Sequence, residues 1–366
     1  MSDRSMGRVQ VPDIGAIEKE LAEFWRGAFS DEQPVLRASM VNLVVACEDS
    51  ASVAEASTTI ARLSEHLPGR AIVISAEPAG GDEGKLDAWV STHCHRGPGG
   101  SQVCSEQVTL AASGEASSHV PETVLQLLLE DTPVVTWWRR RKMLSDPLCH
   151  PLARLSDRFV VDSSMFDEPR EALADLATIA ADPSCRGSVG DLVWMRSEAW
   201  REHVASLFDG FAFREHLARV TRMHAACGGP AAAAGFTVAG GYFVGWMASR
   251  LGWRFEGKGR CSRRDGRTLA LTLAHDPAFP TGRIAAIRIE TSDGEPPAVF
   301  SVERAGPEKD SLRVRIDTAR TCPLPHTKKL TRMSEGALLC GELQRDAGDP
   351  LFEESLACAA KLAAAE

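Results

Sequence analysis

The sequence predicts an α/β protein in which a mostly parallel three-layer α/β domain is followed by an α+β domain with an antiparallel sheet. In the first half of the chain, short apolar segments alternate with helical segments, as in βαβ units whose strands run parallel. Beyond residue 268, four short strand-like segments follow one another closely, which is typical of an antiparallel sheet. The 366 residues suffice for about two domains. We assign residues 1–37 to an N-terminal helical extension, 38–182 to the α/β domain and 183–366 to the α+β domain.

The first domain opens with one predicted βαβ unit. An amphipathic helix is expected over Ile14 to Phe29, ahead of it. The segment Ala38 to Cys47 is apolar and rich in valine, the pattern of a strand that is buried on both faces. Helical spacing over Ala51 to Leu67 and a second apolar strand over Ala71 to Ser75 complete the unit.

A hairpin and further alternating elements follow. Two alternating segments, Lys85 to His95 and Gln102 to Ala111, are joined by the turn-forming residues Arg96 to Gly100, which favours an antiparallel hairpin. The remaining predicted elements of this domain are the helices Val120 to Glu130, Pro147 to Leu155 and Pro169 to Ala181, and the strands Pro133 to Trp138 and Arg158 to Asp162. The sheet should therefore be mostly parallel with an antiparallel component.

The second domain is expected to begin with helices and to continue with strands. Turn-forming residues over Asp182 to Gly190 mark the boundary. Apolar residues from Leu192 to Leu207 recur at helical spacing, and Asp191 is placed to cap the start of that helix. Further helices are predicted over Arg214 to Cys227, Tyr242 to Leu251 and Pro350 to Ala364. The four strands are TLALTLAH from Thr268, IAAIRIE from Ile284, AVFSVER from Ala298 and SLRVRID from Ser311.

Charge and hydropathy exclude several classes of partner. A net charge of -9 and an isoelectric point near 5.7 argue against a protein that neutralises phosphate backbones. No apolar run reaches the roughly 18 to 20 residues that span a bilayer, since the best candidate, Ala231 to Leu251, contains glycines and Arg250. The N-terminus also lacks the apolar core of a secretory signal. We expect a cytoplasmic protein with no nucleic-acid or membrane partner.

The ten cysteines are spread along the chain without a CxxC pair, which indicates reduced, mostly buried thiols and not a disulfide framework. Cys94 and Cys104 flank the predicted hairpin turn and are redox candidates if the register places them opposite each other. Two inert buried thiols are the alternative. His93 and His95 share a strand face and could chelate a metal, but no third ligand is evident, so no metal site is predicted.

The motifs of familiar catalytic and nucleotide-binding sites are absent from the sequence. The first strand ends in CEDSAS instead of leading into GxGxxG, and GxxxxGK[ST], GxSxG and HExxH do not occur. Acidic pairs such as Glu48-Asp49 and Glu130-Asp131 lie beside strand ends, where most carboxylates are caps or turn residues. We therefore predict neither catalytic residues nor a cofactor.

The segment LLLEDTPVVTWWRRR, from Leu127 to Arg141, carries two adjacent tryptophans at the end of a predicted strand. Successive side chains of a strand point to opposite faces, so Trp137 and Trp138 cannot both enter one core. One interpretation places a tryptophan outward beside Arg139, as in a partner-binding surface. The alternative buries both, one on each face of a central strand that helices cover on both sides.

Several segments together resemble the OpcA family, the glucose-6-phosphate dehydrogenase assembly proteins. The most specific are Trp-Trp-Arg at 137–139 and the W-x-R-x-x-x-W-R-E arrangement from Trp194 to Glu202. The others are NLVVACED (42–49), VCSEQVTL (103–110), RFVVDSS (158–164) and GWMASRLGW (245–253). The resemblance extends over residues 38–260 and is less specific beyond them. The chain departs from the family pattern at Ala225 to Gly241 and in its three consecutive arginines.

The resemblance implies a non-catalytic assembly factor and allosteric activator that binds glucose-6-phosphate dehydrogenase in the oxidative pentose phosphate pathway. The family is also associated with redox control in photosynthetic bacteria, which draws attention to the cysteines. The partner-binding candidates are Trp137, Trp138, Arg139, Trp194, Arg196, Trp200 and Arg201. Alternatively, Trp194 and Trp200 fill two interdomain gaps. Two other functions stay open: a sugar-phosphate enzyme or metabolite sensor with an arginine-lined interdomain cleft, and a scaffold of unrelated function.

Overall fold

The computed structural model describes residues 6–9, 14–28, 35–37, 39–77, 84–96, 102–229, 235–292, 297–319, 323–345 and 348–365. The chain divides into two compact units. Unit 1 comprises residues 1–161, 182–189 and 335–347, and unit 2 comprises residues 162–181, 190–334 and 348–366. The helix expected at the end of the first domain, Pro169–Ala181, is therefore part of unit 2. The hairpin turn at residues 97–100 and the alanines at 231–234 lie outside the described residues.

Unit 1 is built on a mostly parallel sheet, with elements numbered in chain order through both units. Its strands are β1 (Met6–Val9), β2 (Val35–Arg37), β3 (Val41–Cys47), β4 (Gly69–Glu77), β5 (Lys85–Arg96), β6 (Gln102–Ser113), β7 (Val134–Arg139), β8 (Arg158–Val161) and β9 (Ser188–Asp191), which runs on into unit 2. Its helices are α1 (Ile14–Ala28), α2 (Ser50–Leu63), α3 (Val120–Leu127), α4 (Cys149–Leu155) and α10 (Glu335–Leu343).

The strand order in this sheet is β1-β5-β6-β4-β3-β7-β8-β9, with β2 beside β6. The pairs β3–β4, β4–β6, β3–β7 and β7–β8 are parallel, whereas β5–β6 is the antiparallel hairpin. The predicted mixture of parallel crossovers with one hairpin is thus confirmed. Six neighbouring strands of the sheet, in the order β6-β4-β3-β7-β8-β9, can be renumbered 1 to 6 by their order in the chain. Their order across the sheet is then 3-2-1-4-5-6, which is the topology of a doubly wound, dinucleotide-binding type of sheet.

Unit 2 combines helices with a mostly antiparallel sheet of order β11-β12-β13-β10-β14-β15-β16-β17. Its strands are β10 (Val220–Cys227), β11 (Arg254–Gly257), β12 (Arg260–Ser262), β13 (Thr268–His275), β14 (Ile284–Thr291), β15 (Ala298–Arg304), β16 (Ser311–Asp317) and β17 (His326–Lys329). Its helices are α5 (Pro169–Ala181), α6 (Leu192–Arg196), α7 (Glu198–Ser206), α8 (Phe211–Arg214), α9 (Val238–Leu251) and α11 (Pro350–Ala365). The four predicted strands and the closing helix are confirmed.

The helix predicted over Arg214 to Cys227 is wrong. A short 3₁₀ helix over Glu215–Arg219 leads instead into the strand β10. Val220, Met223, Ala225 and Cys227 are buried, and the three-residue step from Val220 to Met223 imitates a helix face. The cause is an irregularity in the pairing of β10 with β14 between Val220 and Arg222, because a bulge interrupts the two-residue alternation of a strand.

The predicted long helix after Asp191 is two helices, α6 and α7, which meet at Ser197. The cap itself is confirmed, since the Asp191 side chain accepts a hydrogen bond from the backbone N–H of Val193. Close packing of α9 against α11 depends on Gly245, where a Cβ atom would lie 2.4 Å from the carbonyl oxygen of Ser355. Among the described residues, none of the helices has the length and apolar character required to cross a membrane.

Candidate functional site

The two adjacent tryptophans lie in β7, between the central strands β3 and β8. Trp137 is 0% exposed and Trp138 is 1% exposed. The expectation that one of them faces outward is therefore wrong, and their burial on both sides of a central strand is confirmed. The indole Nε1 of Trp138 donates to the carbonyl oxygen of Lys142 at 2.9 Å, and its ring packs against Phe159.

Arg139 is also buried, at the carboxyl end of β7. Its guanidinium lies 4.6 Å from the centroid of the Trp137 ring, and Nη2 donates to Glu55 at 3.0 Å. A cation on an aromatic face away from water contributes about 2 kcal/mol. The three residues of the Trp-Trp-Arg motif thus belong to the interior of unit 1.

Arg140 spans the carboxyl ends of β3 and β4. Its Nη1 donates to the carbonyl oxygens of Cys47, at 2.9 Å, and Ala76, at 3.0 Å, while Nε donates to the buried carboxylate of Asp146 at 2.6 Å. Doubly wound sheets bind their ligands in the crevice at these strand ends. In this chain an arginine side chain bonds to the backbone there instead.

The start of α2 carries a second departure from a dinucleotide site. Asp49 caps the helix, and its carboxylate accepts a hydrogen bond from the backbone N–H of Ser52 at 2.8 Å. These hydrogen bonds with Ser52 lower the pKa of Asp49, so the carboxylate stays charged. A pyrophosphate would bind at this helix end, and the carboxylate would repel it. Glu48 accepts the backbone N–H of Arg141 at 2.9 Å, so both acids are cap or turn residues, as expected.

The tryptophans of the second motif belong to the core of unit 2. Trp194 and Trp200 are each 1% exposed. The indole of Trp194 donates to Asp349 at 3.1 Å, and its ring packs against Tyr242 and Phe352, all within unit 2. Arg201, also buried, lies over the Trp194 ring.

Arg196 is the one partner-binding candidate with a partly exposed side chain, 23% by area. It forms an ion pair with Asp162, with Nη1 donating at 2.9 Å. Burial acts to raise the pKa of Asp162, but the hydrogen bond and charge of Arg196 outweigh it and hold that pKa below its usual range. The contact role of the seven candidates stays a prediction, and only Arg196 is accessible enough to touch a partner directly.

Asp191 and Tyr242 form a buried pair that the sequence did not reveal. The hydroxyl of Tyr242 donates to Asp191 at 2.6 Å, and burial raises the pKa of Asp191 to about 7. Such a carboxyl is a candidate proton donor or acceptor. Both residues are 0% exposed, however. A nearby cavity, lined by Ser163 and Gly282 among others, has a volume of about 10 Å³, which is room for about one water molecule and not for a metabolite. The geometry therefore favours a structural pair that caps α6.

The sheet of unit 2 has one buried face and one exposed face. Five residues lie in register across neighbouring strands on the exposed side, although Ser301 in the middle of the row is itself buried: Thr272, His224, Arg288, Ser301 and Arg315. The side chains of Arg288 and Arg315 are 49% and 59% exposed. The two strands IAAIRIE and SLRVRID alternate in this way: Ala285, Ile287 and Ile289 in the first, and Leu312 and Val314 in the second, lie on the buried side.

Two more arginines extend this surface, which we name the arginine face: Arg222, Arg288, Arg313 and Arg315 with the residues between them. Arg222 follows the same side of β10 as His224 and is 73% exposed, and Arg313 lies opposite Glu303. Arginine is enriched at protein interfaces. The sequence supplied the alternating arginines but not the strand order, so it could not show that they share one surface.

Cys94 and Cys104 lie opposite each other in the β5–β6 hairpin and form a disulfide. The expectation of two inert thiols is wrong, as is that of a wholly reduced chain. Cys94 is exposed, whereas Cys104 is buried. His93, the neighbouring metal candidate, has its Nε2 2.9 Å from the side-chain oxygen of Gln107.

Comparison with known proteins identifies two family matches. Residues 60–178 match the model described as the glucose-6-phosphate dehydrogenase subunit N-terminal domain, and residues 188–356 match the corresponding C-terminal domain. The OxPP cycle protein OpcA of Synechococcus elongatus is 27% identical over 78% of this chain, and that of Nostoc punctiforme is 26% identical over 79%. The chain spans 66% and 64% of these relatives' lengths, just under two thirds.

A solved structure with a similar fold is a 3-ketoreductase from Actinomadura kijaniata, in complex with TDP-benzene and NADP in an open conformation. It is 14% identical, covers 90% of this chain and 96% of its own, and has a TM-score of 0.50. The likeness concerns the fold alone.

Proposed function

Because this chain belongs to the OpcA family, we propose that it is a non-catalytic assembly factor that binds glucose-6-phosphate dehydrogenase directly and activates it allosterically. The observation that carries the proposal is the pair of family matches. The descriptions of both family models name glucose-6-phosphate dehydrogenase, and the matches cover residues 60–178 and 188–356. The relatives are named for the oxidative pentose phosphate cycle. We expect the protein to act in the cytoplasm, with its partner.

The architecture of unit 1 supports a role without catalysis. Its sheet has the topology of a dinucleotide-binding domain, yet Arg140 bonds to the strand ends where a ligand would lie. Asp49 places a carboxylate at the helix end where a pyrophosphate would bind. A scaffold that keeps this fold without its ligand site can still present surfaces to a protein.

The arginine face is the surface that we assign to the partner. It presents four exposed arginine side chains, and arginines recognise carboxylates through paired hydrogen bonds. We therefore expect an acidic patch on the dehydrogenase to meet it. Glu290 and Asp317 form exposed ion pairs on this face, which a partner's carboxylates would have to replace. Activation requires that the chain bind the active, assembled state of the enzyme more tightly than the inactive state.

The test mixes the purified chain with the glucose-6-phosphate dehydrogenase of the same organism. Light scattering after size exclusion gives the mass of the complex, and NADPH formation gives the turnover. We expect a complex heavier than either protein alone and a higher rate. Two proteins that elute separately with an unchanged rate would refute the proposal, whereas a complex without a rate change would refute activation and leave assembly standing.

A further inference from the structure

Three potential metal ligands from two separate segments converge in unit 1. His150 lies in the first turn of α4, while Asp182 and Cys185 lie in the loop that precedes β9. One ligand atom from each residue, an imidazole nitrogen, a carboxylate oxygen and a thiol sulfur, lies within 4.8 Å of the other two. We propose that these residues bind a zinc ion. The proposal is independent of the function proposed above.

The distances suit zinc. Zn–N and Zn–O bonds are about 2.0 to 2.2 Å and Zn–S bonds about 2.3 Å, so neighbouring ligand atoms of a tetrahedral site are about 3 to 4 Å apart. His150 Nε2 and Asp182 Oδ2 are 2.8 Å apart in the structure. A small side-chain rotation therefore admits the ion between them. The His150 side chain is 47% exposed, which leaves room for water as the fourth ligand.

The loop is already shaped to present its two ligands together. The backbone N–H of Ser184 donates to the Asp182 carboxylate at 2.8 Å, and the N–H of Cys185 donates to the Asp182 carbonyl at 3.0 Å. The resulting turn places Asp182 and Cys185 on the same side. Residues 182–189 return the chain to unit 1 after α5, so the ion would fasten this returning segment to α4.

The charges around the site act in opposite directions. Hydrogen bonds from Ser184 lower the pKa of Asp182 to about 2, so the carboxylate is ionised at neutral pH. Burial and the charge of Asp182 raise the pKa of the Cys185 thiol, although Arg154 on α4 acts in the opposite direction. Zinc binding would replace the thiol proton, forming a zinc–thiolate bond and releasing one H⁺, so affinity should increase with pH.

Two of the three ligands lie between the two family matches, which end at residue 178 and resume at residue 188, whereas His150 lies within the first match. The family models therefore leave Asp182 and Cys185 unassigned. The site could not be predicted from the sequence, because His150 precedes the other two ligands by more than thirty residues. Mixed nitrogen, oxygen and sulfur ligands select zinc over magnesium or calcium, which prefer oxygen alone.

The experiment uses the full chain, stripped with a chelator and then dialysed against zinc chloride alone. We expect one zinc per chain by elemental analysis and a melting temperature that increases with zinc. His150→Gln and Cys185→Ser should each weaken zinc binding by on the order of tenfold or more. Cys340→Ser is the matched control, since Cys340 is another free, partly buried cysteine of unit 1, and it should bind zinc like the wild type.

Cobalt provides a second readout that does not depend on stability. Cobalt bound by Cys185 should give a thiolate-to-metal absorption band that Cys185→Ser lacks and Cys340→Ser keeps. Substoichiometric zinc in the wild type would overturn the proposal, and so would equal zinc binding by the wild type and by both ligand variants. If Cys185→Ser fails to fold, His150→Gln on the partly exposed side of α4 supplies the same comparison.

Discussion

The guanidinium of Arg201 lies 3.3 Å from the centroid of the Trp194 ring, seven residues earlier in the chain. Its Nη1 also donates to the carbonyl oxygen of Trp194 at 2.8 Å and to the Ser197 hydroxyl at 2.6 Å. The side chain thus crosses the junction between α6 and α7. The spacing of tryptophan and arginine in this motif therefore has a structural reason, which is to join two short helices.

Arg201→Ala should lower the free energy of unfolding by about 2 to 4 kcal/mol, because it removes a buried cation–π contact and leaves the Trp194 carbonyl without this donor. Urea unfolding followed by tryptophan fluorescence measures the loss. Glu202→Ala, an exposed position on the same helix, is the control and should change stability by less than about 0.5 kcal/mol. Equal stability of the two variants would contradict the assigned role.

Arg140→Met tests the arginine that spans β3 and β4. It should destabilise the protein by about 3 to 5 kcal/mol, because the Asp146 carboxylate would stay buried without its cation. Thermal unfolding by circular dichroism is a sufficient measurement. Arg141→Met, at the exposed next position, should cost much less. A variant as stable as Arg141→Met would show that the buried ion pair contributes nothing.

Because Cys94 and Cys104 form a disulfide, the number of free thiols in the protein should increase on reduction. Titration in denaturant should find two more thiols after reduction than before in the wild type, and no increase in the double variant Cys94→Ala/Cys104→Ala. Reduction should also lower the free energy of unfolding by about 3 kcal/mol, because the bond restricts the conformations of the unfolded chain. Cys340→Ala should keep the wild-type increase. Equal counts before and after reduction would show that the two thiols are unpaired.

The free energy of unfolding should depend on pH because the Asp191 carboxyl is buried. Its pKa is about 7 in the folded protein because of burial and near 4 when unfolded, so between these values the folded state holds a proton that the unfolded state has lost. The free energy of unfolding should therefore fall as pH rises from 4 to 7, by at most about 1.4 kcal/mol per pH unit from this group. Asp191→Asn, which keeps the cap and the bond from Tyr242, should remove that slope. An unchanged slope would assign it to other groups.

Much of the fold follows from local pattern. The continuous apolar run of Val41–Cys47 predicts a strand that is buried on both faces, and the structure shows one. The alternation of apolar residues and arginines in Ser311–Asp317 predicts a strand that is buried on one face, which is also found. The same rule fails at Val220–Cys227, where a bulge puts the first two buried positions three residues apart, a spacing that imitates a helix. Local pattern cannot show a bulge, which is set by the partner strand.

The candidate site was less accessible to sequence reasoning. Tryptophan and arginine favour interfaces in general, but Trp137 and Arg139 lie inside because β7 is central in the sheet. Conversely, Arg288 and Arg315 attract no notice in the sequence and share an exposed surface only because β15 pairs with both of their strands. Strand order is a long-range property, so it becomes visible only in the structure.

Charge reversal on the arginine face gives the sharpest test of where the partner binds. Arg288→Glu/Arg315→Glu should weaken binding to glucose-6-phosphate dehydrogenase by at least about tenfold, because an acidic patch would then meet like charge. Both side chains are exposed, so the loss of their surface ion pairs with Glu290 and Asp317 should cost about 1 kcal/mol or less each, and circular dichroism checks that the variant is folded. Arg62→Glu/Arg154→Glu, on exposed helix positions of unit 1, changes the net charge equally and should bind as the wild type does. Binding by the wild type should also weaken as salt rises. Equal losses in both double variants would mean that overall charge, and not this surface, determines the interaction; no loss in either would place the contact elsewhere on the chain.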